Sequence, residues 1–253
     1  MSPDQETTVL GFEPLVEGVL RRRYKRFLAD VELAGGTLVT AHCPNTGPMT
    51  GVCQLGAVVR LRHAPSPSRK LAWTWEQIQV PSARGGHCWV GINTALPNRL
   101  LQTAITQGRL AEPLGSYDRL RREVAYGKGN RSRIDLLLER GDGPSTYIEI
   151  KNTTWTEGSV ALFPDTVTER GQKHLEELIE VVRGGARGVL IFCVSRADCD
   201  RFAPGDTADP RYGQLFRAAR AAGVEMLATC FDYRIDGVDW CGPVAVLERQ
   251  PRP

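Results

Sequence analysis

Two short runs of aliphatic residues, 133–138 and 147–152, constrain the fold of this chain more than any other feature of its 253 residues. Each run is rich in isoleucine and leucine, and the turn-forming residues 141–144 lie between them. This pattern predicts two antiparallel strands that are joined by a tight connection.

Three charged side chains interrupt these predicted strands. Side chains alternate between the two faces of a strand, so Glu149 and Lys151 share one face, and Asp135 can join them from the neighbouring strand. Charges inside apolar strands are costly unless they are paired or bind a metal. The cluster of two carboxylates and a lysine therefore predicts a chemical function.

The chain length predicts two domains, and we place the boundary close to residue 93, between a domain of residues 1–92 and a domain of residues 93–253. Hydrophobic residues make up 42% of the chain, and no apolar run approaches the roughly 20 residues of a membrane span. The seven cysteines include no C-x-x-C pair, and the polar start lacks a signal-peptide pattern. We therefore expect a cytoplasmic protein with reduced thiols and no membrane partner, and a homo-oligomer is compatible with the sequence.

Alternating runs between Val19 and Val90 predict about five short strands without a helix. Such a series is typical of a small, closed or nearly closed β-barrel of the oligonucleotide-binding (OB) type. Trp73, Trp75 and Trp89 lie in these runs, where they fit either the barrel core or stacking on nucleic-acid bases. The spacing of two residues between Trp73 and Trp75 favours the core.

After residue 93 the order becomes helix, three strands, helix, strand, helix, strand, which predicts an α/β sheet with a right-handed crossover. A Thr-x-x-Glu capping box, Thr166 to Glu169, predicts the start of the middle helix, which ends at glycines 184 and 185. The segment 161–165 is expected to be a loop. The other helices are predicted at 99–108 and 211–222, and the strands at 121–126, 132–139, 146–152, 188–194 and 224–230.

Basic residues are concentrated in two stretches, although the net charge is only +3. They fit two interpretations, solvated strand edges or a surface that binds nucleic-acid phosphates, and the nearby carboxylate cluster favours the second. The candidate nucleic-acid-binding residues are Arg21, Arg22, Arg23, Lys25 and Arg26 in the first stretch and Arg122, Arg131 and Arg133 in the second.

Asp135, Glu149 and Lys151, on adjacent predicted strands ahead of a crossover helix, resemble the motif of the PD-(D/E)xK nuclease superfamily. Gln172, in the helix that follows, is similar to a glutamine that some branches of the superfamily carry there. The resemblance implies a restriction-endonuclease-like α/β domain over residues 93–253.

Five segments, spread over most of the chain, resemble the sugar fermentation stimulation protein (SfsA) family. The resemblance implies a mixed α/β protein in which an OB-like barrel precedes the nuclease-like domain, and it implies DNA binding in the bacterial cytoplasm. The segments are RYKRF (23–27), HCPNTGPM (42–49), KLAWTWE (70–76), ALFPD (161–165) and TERGQKHL (168–175).

Two functions are compatible with these residues. In the first, Asp135, Glu149 and the Ile150 carbonyl hold Mg²⁺ or Mn²⁺ for phosphodiester hydrolysis, Lys151 orients or deprotonates the attacking water, and Gln172 positions the lysine or a phosphate. In the second, the protein is a non-catalytic, largely sequence-independent DNA-binding regulator linked to sugar fermentation. Glu149 and Lys151 then only pair with each other, or with Arg133, in a network of ion pairs. The lone histidine of the middle helix is interpreted as structural.

Overall fold

A computed structural model of the protein describes residues 7–67, 70–127, 129 and 132–251. The first strand, β1 (Thr8–Gly11), precedes a small barrel. The barrel strands are β2 (Val16–Tyr24), β3 (Leu28–Leu33), β4 (Leu38–His42), β5 (Val58–His63), β6 (Trp73–Pro81) and β7 (His87–Gly91).

These barrel strands follow the order β4-β3-β2-β5-β6-β7, and an extra pairing of β4 with β6 closes five of them into a barrel. Side chains on these strands alternate between the inside and the outside of the barrel. Ala29 and Val31 therefore point inward from β3 and are fully buried. Trp75 is fully buried in the same core. The predicted OB-like barrel and the core position of this tryptophan are confirmed.

The helices of the second part of the chain are α1 (Leu96–Thr106), α2 (Ala111–Leu114), α3 (Glu169–Arg183) and α4 (Pro210–Ala221). Its strands are β8 (Arg119–Tyr126), β9 (Ser132–Glu139), β10 (Thr146–Thr153), β11 (Trp155–Glu157), β12 (Val160–Phe163), β13 (Arg187–Val194), β14 (Arg201–Pro204), β15 (Glu225–Tyr233), β16 (Gly237–Pro243) and β17 (Ala245–Val246). Together with β1 they form a seven-stranded sheet of order β1-β16-β15-β13-β10-β9-β8 and a four-stranded sheet of order β11-β12-β14-β17.

Helices cover both faces of the seven-stranded sheet. Val189 and Ile191 of β13 pack with α1, whereas Leu190 and Phe192 pack with α3 and α4. Strands β10, β13 and β15 run parallel, as crossover helices require. The mixed α/β class is therefore confirmed, and the core consists of one apolar layer on each side of the sheet.

Several predicted boundaries differ from the structure. Helix α1 begins at Leu96 instead of residue 99, because Pro97 fits the first turn, where no N–H is needed. The predicted capping box is wrong: Thr168 is the N-cap of α3, since its side chain accepts a hydrogen bond from the Gly171 N–H. The segment predicted as a loop at 161–165 is largely strand β12.

The predicted division at residue 92/93 falls between β7 and α1, while β1 pairs with β16 at the edge of the large sheet. The two parts are in close contact, since the Gly91 N–H donates to the Ser195 carbonyl at 2.9 Å. A Cβ atom at Gly91 would lie 2.1 Å from the ring of Tyr233, so only glycine permits this approach. Among the described residues, no helix has the length and apolar character needed to cross a membrane.

Candidate metal centre and nucleic-acid surface

The hairpin of β9 and β10 brings two carboxylates together. The strands pair antiparallel up to Ile148 and Leu136. Further along, the Ile150 N–H donates to the Asp135 carboxylate at 2.7 Å. The second oxygen of Asp135 accepts a hydrogen bond of 2.7 Å from Asn98 of α1. Asp135 is thereby fixed beside the backbone of the residue that follows Glu149.

Glu149 lies in the interior, with a side chain that is only 3% exposed. Its Oε1 atom accepts hydrogen bonds from Lys151 Nζ, at 2.7 Å, and from His174 Nδ1. Its Oε2 atom is buried without a hydrogen-bond partner among the described residues. Buried carboxylate oxygens are normally satisfied, so an unpaired one beside a second carboxylate is what a metal ligand presents.

His174 of α3 joins the cluster, and its role was not anticipated from the sequence. Its Nδ1 atom lies 3.0 Å from Lys151 Nζ and hydrogen-bonds to Glu149. Its Nε2 atom accepts from Arg170 Nε at 3.4 Å, which assigns the ring proton to Nδ1. His174 therefore restrains Glu149 by a hydrogen bond and lies next to Lys151.

Gln172 does not occupy the position that the sequence predicted. Its amide nitrogen donates to both carboxylate oxygens of Asp209, at 3.1 and 3.0 Å, and Asp209 caps the N-terminus of α4. Residues two apart on a helix point about 200° from each other, so Gln172 faces away when His174 faces the cluster. Gln172 joins α3 to α4 and makes no hydrogen bond to Lys151 among the described residues.

The two carboxyl groups have opposite pKa shifts. Burial, followed by the nearby charge of Glu149, raises the pKa of Asp135 to about 6, although hydrogen bonds from Ile150 and Asn98 oppose the rise. Burial also acts to raise the pKa of Glu149, but the hydrogen bond from His174 and the charge of Lys151 outweigh it and lower that pKa. Carboxylates whose pKa values are pushed apart are typical of active sites.

The donors at this cluster fit a hard cation that keeps several water ligands. Asp135, Glu149 and the Ile150 carbonyl supply oxygen, which Mg²⁺ and Mn²⁺ prefer. Across the parts of the chain that the structure describes, no group of three or more His, Cys, Asp or Glu side chains is arranged to hold a metal. The cluster therefore fits a cation that is bound by two carboxylates and by water, and not one that is enclosed by protein ligands alone.

A basic cleft opens beside the cluster. It has a volume of about 540 Å³. Its wall combines three basic side chains with two acidic ones and two neutral polar ones: Arg133, Arg170, Lys173, Glu123, Glu169, Ser132 and His174. Arg133 was predicted from the sequence as a phosphate-binding residue. Arg170 and Lys173 were missed. Arg170 lies three residues before Lys173 and four before His174, and these spacings are the signal of a shared helix face.

Two of the predicted basic residues are occupied in holding a loop of the barrel. The Arg23 guanidinium donates to the carbonyls of Asn45 and Gly47 at 3.0 and 2.9 Å, and Arg26 Nε donates to the Thr46 carbonyl at 2.7 Å. Their guanidinium groups support the 45–47 loop, so they are less available to phosphates.

The other predicted basic residues lie at several places. Arg21 pairs with Glu32 at 2.9 Å and Arg22 lies over the Tyr24 ring at 4.7 Å, both on β2. Lys25 follows in the turn after β2, Arg122 donates to Gln102 of α1, and Arg131 lies outside the described residues. Of the predicted nucleic-acid-binding residues that the structure describes, Arg133 is the one that lies in the cleft beside the cluster.

Comparison with known proteins gives two family matches. Residues 22–92 match the model of the SfsA N-terminal OB domain, and residues 95–237 match the model of the sugar fermentation stimulation protein RE domain. Together the two matches span most of the chain, and they meet close to the predicted boundary.

Individual relatives match over nearly their full length. The sugar fermentation stimulation protein homolog of Synechococcus sp. (strain WH7803) is 61% identical over 97% of each chain. The homolog of Prochlorococcus marinus (strain MIT 9313) is 60% identical over 92% of this chain and 94% of its own. A solved structure of Pyrococcus furiosus SfsA in complex with Ca²⁺ covers 95% of this chain and 99% of its own, with a TM-score of 0.82 and 25% identity.

Proposed function

The chain belongs to the sugar fermentation stimulation protein family, and from this premise we propose that it is a DNA-binding phosphodiesterase that depends on Mg²⁺ or Mn²⁺. One observation carries the proposal: the buried, unpaired Oε2 atom of Glu149 lies in a cluster with the Asp135 carboxylate and Lys151. The Ca²⁺ complex of the Pyrococcus furiosus relative supports a divalent-cation site in this chain.

Asp135, Glu149 and the Ile150 carbonyl would hold the cation, which supplies charge stabilisation at the phosphate and a nucleophilic water. Lys151, whose ammonium group donates to Glu149, would orient that water and offset the negative charge that develops on the phosphate. Asn98 fixes the rotamer of Asp135, His174 restrains the rotamer of Glu149, and Glu149 in turn holds Lys151. Such outer hydrogen bonds orient ligands for the cation.

The basic cleft supports nucleic acid as the substrate. Arg133, Arg170 and Lys173 outnumber the two acidic side chains of the cleft, Glu123 and Glu169, and would face the phosphate to be cleaved beside His174. Contacts of this kind position a strand by its backbone without reading its sequence. We therefore propose binding that is sensitive to salt and largely independent of sequence.

A cleavage assay tests this proposal. Purified protein is incubated with single-stranded, nicked and duplex DNA, with Mg²⁺, with Mn²⁺ or with EDTA. We expect cation-dependent cleavage that Asp135→Ala and Glu149→Ala each reduce by at least about a hundredfold. Glu180→Ala, an exposed carboxylate of the same helix as His174, is the matched control and should keep full activity. Absence of cleavage, or cleavage that survives both active-site changes, would refute the proposal.

The pairing of Glu149 with Lys151 and His174 favours a second candidate function. Because the Lys151 charge and the His174 hydrogen bond together stabilise the Glu149 carboxylate without any cation, the cluster also fits a non-catalytic DNA-binding regulator that retains a nuclease scaffold. This alternative predicts salt-sensitive DNA binding by the wild type and by Asp135→Ala and Glu149→Ala, with no cleavage by any of them.

A further inference from the structure

A small pocket lies where the barrel meets the second domain. Its volume is about 210 Å³. Two of the segments that carry the family resemblance, 42–49 and 161–165, contribute to its wall, although the proposed reaction assigns them no role. The residues that matter here are Asn45, Asn152, Thr154, Trp155, Phe163 and Asp165.

Two carboxamides in this wall are held in fixed orientations. The Tyr233 hydroxyl donates to Ser195 Oγ at 3.1 Å, and Ser195 Oγ donates to Asn152 Oδ1 at 2.6 Å. Asn45 Oδ1 accepts from the Gly47 N–H at 2.9 Å. Because both oxygens are engaged, both side chains keep their NH₂ groups for a ligand.

A carboxylate acceptor lies in the same wall. One oxygen of Asp165 accepts a hydrogen bond of 3.2 Å from the Thr50 N–H of the barrel, and its second oxygen has no partner within the described residues. The pocket therefore combines amide donors with a carboxylate acceptor. A ligand that presents both acceptors and N–H donors along one edge would match it.

One aromatic side chain makes the remaining wall suitable for a flat ligand. Trp155 of β11 lines the pocket, and so does Phe163 of β12, whose ring packs against Phe192 and Tyr212 in the core. The volume of about 210 Å³ is smaller than that of a typical pocket for a drug-sized ligand and suits a single heterocycle. Aromatic walls together with polar groups at the edge are how proteins hold a single unstacked nucleobase.

The pocket is close to the proposed catalytic cluster. Asn152 directly follows Lys151 on β10, and Thr94, also in the wall, lies four residues before Asn98, which holds Asp135. At the rise of a strand, the Cα atoms of Glu149 and Asn152 are about 10 Å apart. This span corresponds to about three nucleotides of a stacked strand. The Asn152 side chain lies on the α1 face of β10, where Asn98 holds Asp135, whereas Glu149 points to the α3 face.

We infer that this pocket binds one unpaired nucleobase of the strand that is bound at the cluster. The inference rests on the proposed function, and it specifies the substrate class: nucleic acid with an unpaired nucleotide close to the cleaved bond, in preference to fully paired duplex. Thr154 and the two asparagines contact the base edge, Trp155 contacts its face, and the cleft of Arg133, Arg170 and Lys173 contacts the backbone.

Equilibrium binding in EDTA, with two fluorescent strands of equal length, tests the inference. One is ordinary single-stranded DNA, and the other carries abasic sites at every position, so it keeps its phosphates but has no bases. Trp155→Ala should weaken binding of the ordinary strand by about tenfold and leave binding of the abasic strand unchanged. Trp155→Phe, which keeps an aromatic face, should restore most of the loss.

Asp165→Ala is the second variant, because Trp155 also packs against Leu162 and its removal can disturb folding. It should show the same selective loss for the ordinary strand. If wild-type protein binds both strands equally, or if the variants weaken both strands alike, the base pocket is refuted while the proposed function stands. If wild-type protein binds neither strand, the proposed function fails, and the inference fails with it.

Discussion

The charge of Asp135 should destabilise the protein when no cation is bound, and Asp135→Asn should remove this effect. Burial and the charge of Glu149 raise the pKa of Asp135 to about 6 from the ordinary 3.8. A carboxyl group with a raised pKa in the folded state favours folding when it is protonated, so stability falls as the pH rises from about 4 to about 6 and is constant above. The shift corresponds to about 3 kcal/mol over the whole titration and to about 1.4 kcal/mol between pH 5 and pH 8.

Urea unfolding in EDTA at pH 5 and pH 8 measures this effect. Wild-type protein should lose about 1.4 kcal/mol more than Asp135→Asn between the two pH values. Asp142→Asn, in the exposed turn between β9 and β10, is the matched control and should follow the wild type. If the stability of Asp135→Asn has the same pH dependence as that of the wild type, burial and the Glu149 charge do not raise the pKa of Asp135, and the reasoning is wrong.

Three further changes test other parts of the structure. Lys151→Ala should lower the cleavage rate by about a hundredfold or more and leave the DNA affinity unchanged, because Lys151 acts on the attacking water and not on the bound strand. A kinetic assay and a parallel binding titration measure the two quantities. His174→Gln should weaken cation binding by about tenfold, because Glu149 loses a hydrogen bond that holds its carboxylate. Calorimetric titration with Mn²⁺ measures the affinity, and an unchanged value would contradict this prediction. Gly91→Ala should destabilise the protein by at least about 1–3 kcal/mol through collision with the Tyr233 ring, and an unchanged melting temperature would argue against that contact.

Much of the site was predictable because it depends on alternation within one strand. Strand β10 is covered on both faces, so the positions of Ile148 and Ile150 toward α1, and of Glu149 toward α3, follow from the period of two. The apolar interior of the barrel was predictable for the same reason, since buried residues such as Ala29 and Val31 recur at every second position.

Features that depend on how distant segments meet were not predictable. In β6, Glu76 and Gln77 are both buried, which breaks the alternation, because Asn93 donates to Glu76 and the Gln77 amide donates to the Arg234 carbonyl of the second domain. The contact of His174 with Glu149 depends on the packing of α3 against the sheet. A sequence pattern within one element carries no information on such partners.

The most direct test of the central claim is a crystal soaked in Mn²⁺ and measured for anomalous scattering. We expect a peak within about 2.5 Å of carboxylate oxygens of both Asp135 and Glu149 and of the Ile150 carbonyl oxygen. The peak should be absent from crystals of Glu149→Gln grown and soaked in the same way. No peak at this position in the wild type at millimolar Mn²⁺, or a peak bound only by other residues, would contradict the assignment of these carboxylates to a metal centre.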